Sequence, residues 1–239
     1  MHVQVISSVN EACSANFHHK TAVVIDVLRA TSTIATALSA GAASIVPAET
    51  VMDARSLQRP EDIMAGERFC RKIAGFDLGN SPKDYHADAV KGRRIILTTT
   101  NGTRAIHKST KADSVIAASL LNAAAAAKYA LHLQRDVVVL CAGSHDDFAI
   151  EDGLCAGLFI EELLKLRVGR FELDDFGTAM HALFRDRAAA IRDTLLQSQS
   201  GKRLIKLGLR EDIESCSCVN TLDAVPCLSG DSLILRNLS

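Results

Sequence analysis

The chain has 239 residues, of which 48% are hydrophobic and 23% charged, and its formal net charge is −1. These values are typical of a globular enzyme and exclude a disordered or fibrous chain. A net charge this close to zero also excludes a positive field over the whole surface, so nucleic acid is not an expected partner.

No segment approaches the roughly 18 uninterrupted apolar residues of a membrane span. The first residues lack the charged and apolar regions of a signal peptide. We therefore expect a cytoplasmic protein without a membrane partner. The 7 cysteines are expected to be free thiols, since Cys216, Cys218 and Cys227 have neither the spacing nor the histidine partner of a zinc site.

The first two thirds of the chain alternates β-branched runs with helical segments, a pattern typical of βα units. Buried strands are predicted at Val3–Ile6, Ala22–Ile25, Ser44–Val46, Ile95–Thr98, Val115–Ala117 and Val137–Cys141. Helices are predicted between them at Thr31–Ala40, Val51–Leu57, Thr103–Lys108, Asn122–Leu133 and Asp152–Leu166, the fourth with Asn122 as its N-cap.

After Arg167 this alternation ends. Two consecutive helices are predicted at Asp174–Phe184 and Asp186–Gln197, Lys202–Leu209 is ambiguous between helix and strand, and a final strand is predicted at Ser232–Leu235. Residues 1–239 are predicted to form a single α/β catalytic domain, three-layer α/β/α with a mostly parallel central sheet that can be mixed at its edges. Residues 170–239 would be a helical and edge-strand C-terminal extension of it.

Ligands in open α/β sheets bind beyond the carboxyl ends of the strands, and the first polar cluster follows the second predicted strand. Asp26 can hold a metal ion or attack phosphorus, and Arg29 can bind phosphate or carboxylate oxygens. Thr31, Ser32 and Thr33 open a helix, whose first N–H groups attract anions. A simple helix cap is the structural alternative.

The second cluster contains Glu67 and Arg68, followed by a loop at residues 75–82 that includes Asn80 and Ser81. Its glycines and proline give the loop a defined shape, and such loops often carry function. A solvated surface ion pair is the structural alternative for the glutamate and the arginine.

The third cluster follows the predicted strand Ile95–Thr98 and precedes a helix, so it can form an anion-binding nest. The structural alternative is an Asn-Gly turn. Its candidate residues are Thr100, Asn101, Gly102, Thr103 and Arg104.

The fourth cluster follows the strand that ends at Cys141 and contains Glu151 and Asp152 at the start of a predicted helix. The helix dipole favours acids at this position, so capping competes with metal binding. Either carboxylate can reach a metal ion. The chain lacks the cysteine–arginine loop of tyrosine phosphatases, the second aspartate of haloacid-dehalogenase phosphatases, and a P-loop.

Taken in order, these clusters resemble the 2-phosphosulfolactate phosphatase family. The resemblance is strong over residues 20–165, with Ser32 standing where a threonine is expected, and the tail matches only in general character. It implies a three-layer α/β/α enzyme that uses Mg²⁺ to hydrolyse (2R)-2-phospho-3-sulfolactate to 3-sulfolactate and phosphate. That reaction is a step toward coenzyme M. The expected partner is thus a small anionic phosphorylated substrate.

We assign the roles within this reaction as hypotheses. Phosphoryl transfer needs positioned groups that neutralise charge on the phosphoryl oxygens. The expected metal ligands are Asp26, Glu67 and Asp152; the expected catalytic residues are Asp26, Arg29, Arg68 and Asn101; and the expected substrate-binding residues are Thr31, Ser32, Thr33, Asn80, Ser81, Thr100, Gly102, Thr103 and Arg104.

Within these roles, Arg29 and residues 101–103 would hold the phosphoryl group, and Arg68 and Arg104 the sulfonate and carboxylate. Two alternatives stay open. One is a phosphatase for another small phosphorylated hydroxy acid, and the other is a non-catalytic module that binds a phosphorylated metabolite. The sequence leaves the oligomeric state open, with a homodimer as the working hypothesis.

Overall fold

A computed structural model describes residues 1–145, 147–166 and 171–236. Within these ranges the chain forms a large mixed sheet with helices packed around it, which confirms the predicted α/β class and its three layers. The strands are β1 (His2–Ile6), β2 (Thr21–Ile25), β3 (Ser44–Ala48), β4 (Ile63–Arg68), β5 (Arg71–Lys72), β6 (Arg94–Thr98), β7 (Ser114–Ala118), β8 (Val137–Cys141), β9 (Glu172–Leu173), β10 (Pro226–Ser229) and β11 (Ser232–Leu235).

Over the first two thirds of the chain all five predicted helices are present, and the short helix Ala87–Val90 was not predicted. The helices of the described residues are α1 (Ala30–Ser39), α2 (Val51–Leu57), α3 (Ala87–Val90), α4 (Gly102–Lys108), α5 (Ala123–His132), α6 (Ile150–Lys165), α7 (Asp175–Arg187), α8 (Ile191–Gln197), α9 (Gln199–Lys206) and α10 (Arg210–Cys216). None of them combines the length and the apolar character that a membrane crossing requires.

The sheet contains two groups of parallel strands joined by an antiparallel hairpin. The strand order is β5-β4-β6-β3-β11-β10-β7-β2-β8-β1-β9. Strands β4, β6 and β3 pair in parallel, as do β7, β2, β8, β1 and β9. The hairpin β10–β11 pairs with β7 on one side and with β3 on the other.

The tail supplies the edge strand β9 and also the hairpin β10–β11, which is not at an edge. The hairpin lies in the middle of the sheet, and its side chains Cys227 and Leu233 are buried. A short apolar strand cannot be assigned to the edge or the centre from its own residues, because both positions bury one face of it.

The two faces of the sheet carry different helices. Alternate residues of β2, β7 and β8 pack on one face against α5, α6 and α7. The intervening residues of the same strands pack on the other face against α1 and α4, together with residues of β3, β4 and β6. Helix α1 contacts strands of both parallel groups and the hairpin, so it packs across the junction of the two groups.

Strand β4 was missed because glycine and polar residues make up its second half. Gly66 lies in β4 and pairs with Thr98 of β6, and its φ is 144°. A Cβ at Gly66 would lie 2.0 Å from the carbonyl oxygen of Thr98. The glycine therefore permits close approach of two strands, so that Glu67 and Arg68 belong to a strand end and not to a surface loop.

Other boundaries differ from the prediction in the helical region. Asn122 occupies the N-cap position of α5, but its side chain does not cap that helix. Its oxygen accepts from the N–H of Ser119, and its amide nitrogen donates to the carbonyl oxygens of Ala117 and Ala224. Helix α7 continues to Arg187, beyond the predicted break. The ambiguous segment Lys202–Leu209 is helical as far as Lys206, within helix α9, whose N-cap is Ser198. Arg167, where the alternation was expected to end, lies outside the described residues.

Candidate active site

A cavity of about 120 Å³ lies beyond the carboxyl ends of β2, β4, β6 and β8. The polar clusters that follow these four strands all contribute to its wall. The residues that border it are Asp26, Leu28, Arg29, Glu67, Phe69, Cys70, Asn80, Thr99, Thr100, Asn101, Gly143, Ser144, His145, Glu151, Asp152, Ser200 and Arg203. The convergence of the four clusters agrees with the expectation that strand ends form the site.

The turn from β2 into α1 holds Asp26 in place. Its backbone N–H donates to the hydroxyl of Thr31 (2.9 Å), and that hydroxyl donates back to its carbonyl oxygen (2.9 Å). The N–H of Ala30 donates to the carboxylate oxygen Oδ1 at 3.2 Å. Asp26 is therefore both a cap of α1 and a wall of the cavity, so the two interpretations of this residue are compatible.

Gly102 begins α4 directly against the other carboxylate oxygen of Asp26. A Cβ at Gly102 would lie 2.6 Å from Oδ2 of Asp26 and 2.4 Å from Cβ of Ala30. Real Cβ atoms do not approach this closely, so either the carboxylate or α4 must move. Glycine at this position is thus a steric requirement of the site.

We expect Gly102→Ala to lower kcat/KM about 10²-fold, because small displacements of reacting groups have effects of this size. The thermal midpoint should fall only by the few degrees that a local adjustment costs. Unchanged turnover in Gly102→Ala would show that the position of Asp26 is not critical.

Two further carboxylates are fixed by backbone N–H groups. Oε1 of Glu67 accepts from the N–H and the hydroxyl of Thr100, both at 2.8 Å, and Oε2 accepts from the N–H of Cys70 at 2.7 Å. Asp152 accepts from the N–H of Val27 at 2.8 Å and from that of Gly143 at 3.0 Å. Asp152 thereby connects the loop after β2 to the loop after β8.

Glu151 differs from the other carboxylates of the cavity. It is 2% exposed, and its carboxylate accepts no hydrogen bond from the described part of the chain. Its charge still acts on its neighbours, since it raises the pKa values of Asp26 and Asp152. Glu151 is therefore a buried acid that is available for chemistry.

Burial and mutual repulsion make the ionised carboxylates unfavourable. Burial is the main cause that raises the pKa of Asp26 to about 7; the N–H of Ala30 and the charge of Arg29 oppose this, and the charges of Glu67 and Glu151 add to it. The pKa of Asp152 is raised by burial first and then by Asp26 and Glu151. A bound cation or a proton relieves this repulsion.

The donor chemistry of this wall fits Mg²⁺. Asp26, Glu67 and Asp152 supply carboxylate oxygens, the ligands that this ion prefers in proteins. Within the described ranges, however, no three acidic, histidine or cysteine side chains converge as a preformed metal cluster. The site therefore has the right oxygens and an electrostatic reason to bind a cation, without a complete set of ligands already in place.

The predicted arginines take different positions. Arg29 is 4% exposed and donates to Asp212 at 2.5 Å and to the carbonyl oxygen of Cys70 at 2.9 Å, while it also borders the cavity. Arg68 lies outside the cavity wall. It donates to the carbonyl oxygens of Glu67 (2.7 Å) and Glu49 (3.0 Å), so it supports the strand that carries Glu67.

Arg104 also lies outside the cavity wall, with its guanidinium donating to the side chain of Asn10. Neither Arg68 nor Arg104 borders this cavity, and their binding of the sulfonate and the carboxylate stays a prediction. The spacing of an arginine after a strand predicts its element but not the direction of its side chain, because four rotatable bonds separate the guanidinium from the backbone.

The predicted hydroxyl ligands divide in the same way. Thr100 borders the cavity, as do Asn80 and Asn101. The hydroxyl of Ser81 donates to Asp212 (2.6 Å), outside this wall. The hydroxyls of Thr31, Ser32, Thr33 and Thr103 are fully buried and donate to the backbone carbonyl oxygens of Asp26, Val27, Asn80 and Thr99. These four hydroxyls hold the loops together, and their placement gives them no access to a ligand in the cavity.

Several residues of the site were missed by the sequence analysis. Arg203 of α9 reaches the cavity and contacts His145 of the loop after β8. Asp212 of α10 pairs with Arg29. Both helices belong to the tail, where no strand end or glycine-rich loop marks a functional residue. The one feature of the sequence that could have indicated Arg203 is the cluster of cationic residues in the ambiguous segment Lys202–Leu209.

Comparison with known proteins gives a consistent result. A family model described as 2-phosphosulpholactate phosphatase matches residues 7–231. A protein of Caldanaerobacter subterraneus subsp. tengcongensis is 40% identical over 230 residues, which cover 95% of each chain, and one of Thermotoga petrophila is 40% identical over 217 residues, 91% of this chain and 92% of the relative. A protein of Carboxydothermus hydrogenoformans is 42% identical over 213 residues, 88% and 87% of the two chains. All three are named probable 2-phosphosulfolactate phosphatase.

Proposed function

Because the chain belongs to the 2-phosphosulfolactate phosphatase family, we propose that it hydrolyses (2R)-2-phospho-3-sulfolactate to 3-sulfolactate and inorganic phosphate with the help of Mg²⁺. The observation that carries this proposal is the cavity at the strand ends, where four carboxylates lie beside two arginines. Phosphoryl transfer needs this combination, because a cation-binding group and positive side chains must both face the phosphoryl oxygens.

Two arginines are placed to bind the phosphoryl group. Arg29 is held rigid by Asp212 and by the carbonyl oxygen of Cys70, so its guanidinium presents a fixed positive charge to the cavity. Arg203 of helix α9 contacts His145 and borders the same cavity. Planar guanidinium groups bind two oxygens of a phosphate at once, which orients the ester for attack.

Asn101 and Thr100 extend this binding surface. The amide of Asn101 donates to the carbonyl oxygen of Gly143 at 2.8 Å, which joins the loops after β6 and β8. Thr100 donates to Glu67 and so keeps that carboxylate turned toward the cavity. Their role is to fix the positions of the acids and of the substrate, which is where most of the rate enhancement of phosphoryl transfer arises.

Mg²⁺ would be held by Asp26, Glu67 and Asp152 and would neutralise charge on the phosphoryl oxygens when bound. Glu151 is then the acid that is free to accept the proton of the attacking water. It is buried in the same wall and, among the described residues, takes no hydrogen bond that would fix its oxygens. We therefore assign it the role of general base.

Glu151→Gln tests this role, since it keeps the size of the side chain and removes its basicity. We expect kcat to fall about 10²–10⁴-fold, the range for loss of a general base, while KM changes by no more than about twofold. Steady-state kinetics at saturating Mg²⁺ measures both. A fall in activity that excess Mg²⁺ restores would instead make Glu151 a metal ligand.

The proposed reaction is tested by phosphate release from racemic 2-phosphosulfolactate, with and without Mg²⁺. We expect rapid release only with the ion, and release should stop when about half of the racemate is consumed, because a chiral cavity accepts one enantiomer. Phosphoglycolate and p-nitrophenyl phosphate are assayed in parallel. Turnover of another ester but not of 2-phosphosulfolactate would retain the phosphatase and discard the substrate.

Binding of these compounds without any turnover would favour the non-catalytic module that binds a phosphorylated metabolite. We also propose a cytoplasmic homodimer that contributes to coenzyme M synthesis. The location, the dimer and the contribution to coenzyme M synthesis are proposed from the sequence and the family resemblance. Light scattering on the purified protein tests the dimer.

A further inference from the structure

A second cavity, of about 360 Å³, adjoins the candidate active site on the side of the helical tail. It lies between the short strand β5, the loop before residue 85 and the end of α9. The residues that border it are Arg29, Cys70, Arg71, Lys72, Gly79, Asn80, Ser81, Asp84, Lys206, Leu207 and Leu209. Nothing in the proposed reaction has used this space so far.

The two cavities share a wall formed by Arg29, Cys70 and Asn80. Arg29 and Asn80 are each 4% exposed, so the shared wall is built from buried polar side chains. The side-chain oxygen of Asn80 is buried and has no hydrogen-bond partner within the described residues. The amide nitrogen of Asn80 also makes no hydrogen bond within the described residues, so its two N–H donors are unused in the shared wall.

Positive charge dominates the rim of the second cavity. Arg71, Lys72 and Lys206 surround it, against the single acid Asp84. The side chains of Arg71 and Lys206 form no ion pair or hydrogen bond with the described part of the chain, and Lys72 makes only a long contact of 3.3 Å to a carbonyl oxygen. Clustered cations without partners attract an anion.

We propose that the second cavity binds a small oxyanion group, namely a carboxylate, sulfonate or phosphate, next to the reacting phosphate. The inference rests on the proposed phosphatase activity in one respect: it takes the adjoining first cavity to be the site that binds the reacting phosphate. Such a group has two sources: it belongs to the substrate itself, or it is a separate ion. Arg29 borders both cavities, so either ligand affects how the phosphate ester is bound.

Helix α9 supplies one cation to each cavity. Arg203 borders the active site and Lys206 borders the second cavity, and residues three apart lie on the same face of a helix. Lys202 of the same helix is exposed and borders neither cavity, which makes it a matched control. Replacing an exposed lysine by glutamine removes one charge without a loss of packing.

The first arm of the test compares phosphoglycolate, which has a carboxylate beside its phosphate, with ethyl phosphate, which has none. If the second anion belongs to the substrate, Lys206→Gln should raise KM for phosphoglycolate roughly five- to tenfold and leave KM for ethyl phosphate unchanged. Lys202→Gln should change neither value. The double variant Arg71→Gln/Lys206→Gln should enlarge the effect.

The second arm titrates sodium sulfate into the metal-free protein by calorimetry. If the cavity binds a separate ion, the wild-type protein should show two sulfate sites and Lys206→Gln only one. This readout needs no catalysis, so it decides the proposal even if no ester is hydrolysed. Equal KM ratios in all variants, together with a single sulfate site that Lys206→Gln leaves intact, would overturn the inference.

Discussion

Asp26→Asn is expected to lower kcat/KM about 10²–10³-fold, the effect of removing one charged group from a desolvated site. The carboxylate borders the cavity, and the asparagine oxygen can still accept from the N–H of Ala30. The fold should therefore survive. Asp53→Asn is the control, because Asp53 is an exposed acid of the α2 capping box and does not border the cavity. Near-normal turnover in Asp26→Asn would remove Asp26 from the catalytic residues.

The same variant has an opposite effect on stability. The pKa of Asp26 is about 7 in the folded chain, against 3.8 for an ordinary aspartate in the unfolded chain. The folded state therefore binds the proton of this carboxyl group more tightly. The free energy of unfolding must then fall as the pH rises from about 4 to 7. In metal-free buffer at pH 8 we expect Asp26→Asn to be more stable than the wild-type protein, by about 4 kcal/mol at most. Denaturant titrations at pH 5 and pH 8 measure the difference, and a stability independent of this substitution at both pH values would contradict the origin of the raised pKa.

The second large effect concerns Arg203. Arg203→Ala should lower kcat/KM about 10²-fold or more, because it removes the cation that faces the active site from α9. Arg29 cannot replace it, since Asp212 and the carbonyl oxygen of Cys70 hold that guanidinium in place. Much of the loss should appear in KM, because the guanidinium binds the substrate as well as the transition state.

Two variants separate binding from structure. Arg203→Lys restores the charge but not the planar fork, so we expect it to recover part of the lost activity. Lys202→Ala, on the exposed side of the same helix, should leave the kinetics unchanged. If all three variants lost activity together with thermal stability, the role of α9 would be structural.

The parts of the site that follow strands could be predicted because the local sequence determines both the element and its end. The run of β-branched residues before Asp26 predicts β2, and the polar residues after it must then lie at the carboxyl end of the sheet. The same holds for Thr100 after β6 and for Asp152 after β8. In each case a short stretch of sequence is enough to predict that the polar residue lies at the end of a strand or at the start of the helix after it.

The rest of the site depends on contacts across long stretches of chain. Arg203 reaches the cavity, and Asp212 reaches Arg29, only because the tail folds back over residues 26–29. No local pattern records such a contact. Conversely, the hydroxyls of Ser32 and Thr33 look like ligands in the sequence, yet the structure uses them for Val27 and Asn80, because buried hydroxyls must find partners nearby.

The central position of the hairpin β10–β11 has a consequence for biosynthesis. Every other strand leaves the ribosome first, so a nascent chain can form the two parallel groups before their connection exists. Until residues 226–235 emerge, β3 and β7 each lack a neighbour and present an open strand edge to other nascent chains. Open edges promote aggregation. Folding in the cell therefore depends on protecting these two edges during translation, and premature termination before the hairpin would leave both edges open.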